Sequence, residues 1–152
     1  MKVCLVASSG GHLKELDFVK KIDMDFQYFI ITEKVENKSV LQENIYYVQQ
    51  INRQDKRVWY KILKIFFIGN RILKKENPDC LISTGALMSV PILLAGKFRK
   101  KKIVFIESFA RVESASLSGK IVYRFADLFI VYWKNMLKHY PRAIYINLFE
   151  ED

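Results

Sequence analysis

The sequence predicts an α/β fold: a Rossmann-like parallel sheet flanked by helices. Two observations carry that expectation. Short β-branched and aromatic runs alternate with segments of helical periodicity, the pattern of parallel strands joined by crossover helices. Three of these runs, ending at residues 8–12, 83–85 and 107–112, finish in small, hydroxyl or charged residues. In an open parallel sheet such strand ends share one edge, where ligands bind. A chain of 152 residues has room for a sizeable core and reads as a single domain, 1–152.

Residues 3–7 form the first strand. Ser8-Ser9-Gly10-Gly11-His12 follows, a flexible turn whose backbone N–H groups can approach an anion at the start of the next helix. It lacks the full dinucleotide fingerprint and a P-loop lysine. Leu13, Leu16, Phe18 and Val19, alternating with lysines, give a short amphipathic helix, and residues 26–32 a second strand. Residues 33–44 read as a loop, and Ile45-Tyr46-Tyr47-Val48 as a third strand.

A long helix is expected over residues 57–75. Trp59, Ile62, Leu63, Ile65, Phe66, Phe67, Ile72 and Leu73 form a wide apolar arc edged by Arg57, Lys61, Lys64, Arg71 and Lys75. Such a helix either buries one face on the sheet and snorkels its lysines, or also offers a face to lipid. Asn77-Pro78 ends it. Residues 79–84 are the fourth strand and Gly85 closes it, repeating the layout of the first strand end. An apolar helix is expected over 86–98, with Pro91 marking a kink or a later start. Residues 102–106 give a fifth strand, 117–125 a helix capped by Ser114 or Ser116, and 127–131 a sixth strand. A short helix over 133–139, a last strand over 143–146 and the acidic tail Glu150-Glu151-Asp152 complete the chain.

The 51% hydrophobic and 14% aromatic composition excludes a disordered chain. No apolar run reaches the ~18–20 residues a membrane span needs, and Met1-Lys2 leads straight into a strand without a leader pattern. Cys4 and Cys80 lie inside apolar runs and read as small buried hydrophobes of a reducing, cytoplasmic compartment. With two histidines and no Cys/His cluster, no metal site is expected. The net charge of +9 is unevenly spread: residues 53–75 hold eight Lys/Arg against Asp55, and Lys97 and residues 99–102 form a second cluster. That balance suits nucleic acid, an anionic membrane surface or a phosphorylated substrate. The chain carries no RNA-recognition, helix-turn-helix or zinc signature, which argues against nucleic acid.

Ser8-Ser9-Gly10-Gly11-His12, Ser83-Thr84-Gly85, Glu107-Ser108-Phe109-Ala110-Arg111-Val112, Ser116-Leu117-Ser118-Gly119-Lys120 and Ala126-Asp127 occur in this order. The set resembles the acceptor-side, membrane-associating subunit of the two-part UDP-N-acetylglucosaminyltransferase of N-glycan assembly, whose bacterial relatives serve capsule and exopolysaccharide synthesis. The resemblance implies the N-terminal half of a GT-B glycosyltransferase. It also implies a separate donor-binding subunit that holds the UDP-sugar, so that this chain needs no cofactor of its own. The acceptor would be a lipid-diphosphate-linked glycan, and the location peripheral, at the inner face of the cell membrane.

Sugar transfer to such an acceptor needs an anion-tolerant cleft, a base for the attacking hydroxyl and a lipid surface within reach. His12 and Glu107 are the two candidate bases, the first by its free pKa, the second if burial raises its own. Ser9, Gly10, Gly11, Ser83, Thr84, Gly85 and Arg111 are the candidate diphosphate contacts. A plain Glu107–Arg111 ion pair, or turn-capping hydroxyls at Ser83 and Thr84, would explain some of these residues without a ligand. Trp59, Phe66, Phe67, Lys100 and Lys101 are the candidate membrane surface. The alternative to an enzyme subunit is a non-catalytic scaffold that recruits and enhances a separate glycosyltransferase subunit.

Overall fold

A computed structural model describes residues 1–11, 26–34, 44–52 and 54–147. Seven strands form one all-parallel sheet: β1 (Lys2–Val6), β2 (Gln27–Glu33), β3 (Ile45–Val48), β4 (Cys80–Ser83), β5 (Lys102–Ile106), β6 (Leu128–Val131) and β7 (Ile144–Tyr145). Their order is β3-β2-β1-β4-β5-β6-β7, so the chain reverses direction across the sheet between β1 and β4. At such a reversal the flanking loops diverge and leave a crevice at the carboxyl edge. The predicted fold class holds.

Each central strand is apolar on both faces, as a parallel sheet covered on both sides requires. Cys4, Val6, Phe29, Ile31, Leu81, Ile103 and Phe105 face the larger core, which the helices α1 (Val58–Glu76) and α2 (Ser89–Phe98) cover. Val3, Leu5, Ala7 and Ile30 belong to a smaller cluster on the other face. Ile65, Gly69, Ile72 and Leu73 are the buried line of α1, which packs against α2.

The helix ends follow their local chemistry. Asn77 adopts a left-handed conformation (φ 46°) and its N–H closes α1 on the Leu73 carbonyl. Helix α2 starts at Ser89, so Pro91 falls in the first turn, where its missing N–H costs no helical bond; there is no kink to explain. Helix α3 (Leu117–Val122) is shorter than its apolar pattern suggests, and its Ser116 cap accepts from the Gly119 N–H at 2.8 Å. The helix expected over 133–139 is a single tight 3-10 turn, Lys134–Lys138.

Two aspartates pin the amino edge of the sheet. Asp79 Oδ2 accepts from the Lys2 N–H at 2.8 Å, and Asp127 accepts from the Ile103 N–H at 2.9 Å and from Lys97 Nζ at 3.0 Å. Helix α1 arrives there too, with Lys2 Nζ donating to Glu76 at 2.5 Å. It therefore runs from the carboxyl edge, after β3, to the amino edge, before β4.

Candidate functional site

At the carboxyl edge, the ends of β4 and β5 and the first turn of α3 enclose a cleft of about 260 Å³. Gly85 and Ala86 form one wall, Glu107, Ser108, Ala110 and Arg111 a second, and Ser116 and Ser118 a third. Gly85 turns with φ 119°, a conformation open to glycine but costly for other residues. Ala86 follows with φ 74°, a strained backbone at the mouth of the cleft. Nothing in the sequence around Ala86 signals this, because the strain is imposed by the turn into α2.

Glu107 is 2% exposed and heavily engaged. Its Oε2 accepts from the Ser116 N–H at 3.2 Å, the Ser116 hydroxyl at 3.0 Å and the Tyr140 hydroxyl at 2.6 Å. Its Oε1 accepts from the Ser108 N–H at 3.2 Å. Because the single Ser116 hydroxyl proton goes to the carboxylate, Ser118 donates to Ser116 Oγ at 3.3 Å. A buried carboxylate without such partners would cost several kcal/mol, so this set is what allows the charge to sit there. Burial first, then the hydrogen bond to Glu107 and its charge, push the Tyr140 hydroxyl well above its ordinary range, which keeps it a donor.

The knot explains the glycine of Ser-Leu-Ser-Gly-Lys. A Cβ on Gly119 would collide with Glu107 Oε2 and Tyr140 Oη and would lie 2.8 Å from Ser116 Oγ. Tyr140, which with Trp133 and Tyr145 reads from the sequence as aromatic surface for a partner, is instead 1% exposed, and its contact with Glu107 spans 33 residues.

The remaining candidates separate. Gly85, Glu107 and Arg111 come together in the cleft. The ion pair that would have tied Arg111 to Glu107 is not formed: the guanidinium instead donates to Ser114 Oγ at 3.4 Å. Ser9, Gly10 and Gly11 sit at the end of β1 on the same edge, with Gly10 at φ 104° and exposed. Ser83 and Thr84 are fully buried, and Ser83 Oγ accepts from the Gly85 N–H at 3.1 Å, so it braces the turn from beneath. His12 lies outside the described residues. Among the described residues no group of His, Cys, Asp and Glu is arranged to hold a metal.

Of the expected membrane residues, Trp59 and Phe67 are exposed. Phe66 turns toward α2 and stacks edge-on against Phe98 at 6.0 Å. Lys100 and Lys101 are at the amino edge, away from the cleft; Lys101 Nζ donates to Asn77 Oδ1 at 2.7 Å. Among the described residues no helix is long and apolar enough to cross a membrane.

Residues 48–149 match the family model described as "Oligosaccharide biosynthesis protein Alg14 like". The chain belongs to the Alg14 family. It shares 30% identity with the rat UDP-N-acetylglucosamine transferase subunit ALG14, over 93% of this chain and 80% of that protein. The Schizosaccharomyces pombe subunit of that name is 47% identical over 76 residues, 47% of this chain and 36% of its own length. A second kind of relative is the Clostridium perfringens UDP-N-acetylglucosamine–N-acetylmuramyl-(pentapeptide) pyrophosphoryl-undecaprenol N-acetylglucosamine transferase, 27% identical over 86% of this chain and 39% of that protein. In fold, this Alg14-family chain is similar to Acinetobacter baumannii MurG (TM-score 0.72, 22% identity) over 88% of its own length and 42% of the other. It is equally similar to the UDP-GlcNAc 2-epimerase of Methanocaldococcus jannaschii (TM-score 0.72, 13% identity), over 96% and 45%. The chain thus spans less than half of the solved structures it matches.

Proposed function

We propose that this chain is the acceptor-side subunit of a two-part glycosyltransferase, which passes a sugar from a UDP-sugar to a lipid-diphosphate-linked glycan. A separate subunit would bind the donor. The observation that carries the reading is the cleft of Gly85, Glu107, Arg111 and Ser118 at the carboxyl ends of β4 and β5 in an Alg14-family chain. Names of its relatives supply the chemistry, since they combine UDP-N-acetylglucosamine with a transferase subunit or a pyrophosphoryl-undecaprenol acceptor. Nothing in those names points to capsule or exopolysaccharide, so the proposal stops at a lipid-diphosphate acceptor.

In this reading Arg111 offsets phosphate charge at the rim, while the N–H groups of Ser9, Gly10 and Gly11 hold the diphosphate. Glu107 Oε1 takes one bond from the Ser108 N–H at 3.2 Å and keeps lone-pair capacity for an acceptor hydroxyl. As base, Glu107 would take the proton of the hydroxyl that attacks the donor; His12 is the other candidate.

A second reading is favoured by the hydrogen bonds on Glu107, which suit a structural clamp as well as a base. The chain would then shape and recruit the partner subunit without contributing a base. Glu107→Gln in the two-subunit complex separates them. A base predicts that turnover falls roughly a hundredfold or more while the acceptor KM changes little. Unchanged turnover with the complex intact would leave the scaffold.

A further inference from the structure

Residues 107–116, between β5 and α3, carry no helix or strand, yet they form most of the cleft wall. Several of their hydrogen bonds are local. The Arg111 N–H donates to the Ser108 carbonyl at 2.9 Å, the Ala110 N–H to Ser108 Oγ at 3.4 Å, and the Arg111 guanidinium to Ser114 Oγ at 3.4 Å. Bonds between residues two or three apart shape a turn, but they do not fix where it stands on the sheet. That takes a partner from elsewhere in the chain.

The segment after β6 supplies one. Trp133 Nε1 donates to the Phe109 carbonyl at 2.7 Å, and the Phe109 ring packs against Trp133 and Tyr132 with centroids 5.1 Å and 5.9 Å away. His139 Nε2 lies 2.8 Å from the Glu113 carbonyl. A carbonyl oxygen only accepts, so Nε2 is a nitrogen that carries a proton. Tyr140 holds Glu107 at the start of the same stretch. Anchors therefore fall at Glu107, Phe109 and Glu113, and Arg111 lies midway between the last two. The holding segment is itself fixed. Its 3-10 turn buries Met136, whose carbonyl accepts from the His139 and Tyr140 N–H groups at 3.0 Å.

We infer that Trp133 and His139 are positioning residues of the cleft. Their N–H groups hold the Phe109 and Glu113 carbonyls on either side of Arg111, and so keep its guanidinium at the rim. This deepens the proposed function and rests on it in one respect, that the anion Arg111 meets is a diphosphate. Both hydrogen bonds are exposed, so water competes for them and their loss costs the folded core little. Local order of the loop is what they control.

The test uses the full chain. Trp133→Phe keeps a ring beside Phe109 but loses the donor, His139→Ala loses the second donor, and His139→Gln retains an N–H of similar reach. Amide hydrogen exchange over residues 108–115 should quicken about tenfold in Trp133→Phe and in His139→Ala. Strands β1 and β4 should be unchanged, and His139→Gln should stay close to wild type. Binding of inorganic pyrophosphate, followed by NMR titration, should weaken about threefold or more with Trp133→Phe. The same change made in Arg111→Ala should weaken it no further, because no guanidinium is left to place. Unchanged exchange over residues 108–115, no pyrophosphate binding by the wild-type chain, or equal weakening with and without Arg111 overturns the inference. Sugar transfer by the wild-type two-subunit complex, measured separately, tells the two failures apart. Pyrophosphate coupling without transfer sinks only the transferase reading; transfer without that coupling sinks only the positioning role.

Discussion

The Tyr140 hydroxyl donates to Glu107 Oε2 at 2.6 Å and so ties the segment after the 3-10 turn to the end of β5. Both residues are buried, and the bond closes the wall of the cleft formed by Ser116 and Ser118. Tyr140→Phe removes one donor from a buried carboxylate without changing the packing of the ring. It should lower stability by about 1–3 kcal/mol in a denaturant titration. A loss below about 0.5 kcal/mol would show that Ser116 and the Ser108 N–H suffice for Glu107.

Gly119→Ala should destabilise by about 1–3 kcal/mol, because its methyl group enters space held by Glu107 and Tyr140. The cost should shrink in a Gly119→Ala/Tyr140→Phe double variant, since the phenolic oxygen is one of the atoms struck. Additive losses in that cycle would place the strain on Glu107 Oε2 instead.

Lys100 holds a left-handed conformation (φ 58°) just past α2, and the Lys101 N–H closes back on the Gly96 carbonyl at 3.0 Å. That is the helix-ending position where glycine is usual. Lys100→Gly should therefore raise stability by about 1 kcal/mol, seen as a higher melting temperature. No gain would mean the lysine side chain compensates for its backbone.

Hydrogen bonds from Lys2 first, and then Tyr46, hold the Glu76 carboxyl below its ordinary value of 4.5. A group depressed in the folded state contributes stability above its unfolded pKa and loses it as pH falls through the folded value. An acid titration should thus show stability declining from about pH 4.5 downward. Tyr46→Phe should be less stable at neutral pH and show a shallower acid decline. Parallel wild-type and Tyr46→Phe curves would leave Lys2 as the group that holds Glu76 down.

The strand ends are legible because a parallel sheet advertises itself twice, in doubly buried strands such as residues 3–6 and in the small residues that close them. The knot at Glu107 is not. Its partners come from distant places in the chain, the Ser116–Gly119 turn and Tyr140, and only their meeting at Glu107 gives Gly119 its reason. Phe66 and Phe67 are adjacent in sequence but about 100° apart around a helix, so composition alone could not say which one faces out. Lys100 and Lys101 read as a surface charge cluster, whereas the Lys100 backbone ends a helix and the Lys101 side chain bridges to Asn77.

The central claim is that this chain supplies the acceptor side and needs a second subunit to act. Turnover of UDP-N-acetylglucosamine onto a polyprenyl-diphosphate sugar, measured for the chain alone and with a co-purified donor-binding subunit, tests it most directly. The account predicts no turnover by the chain alone, turnover in the complex, and a raised acceptor KM in the complex with Arg111→Ala. Turnover by the isolated chain, or an acceptor KM indifferent to Arg111, would contradict it.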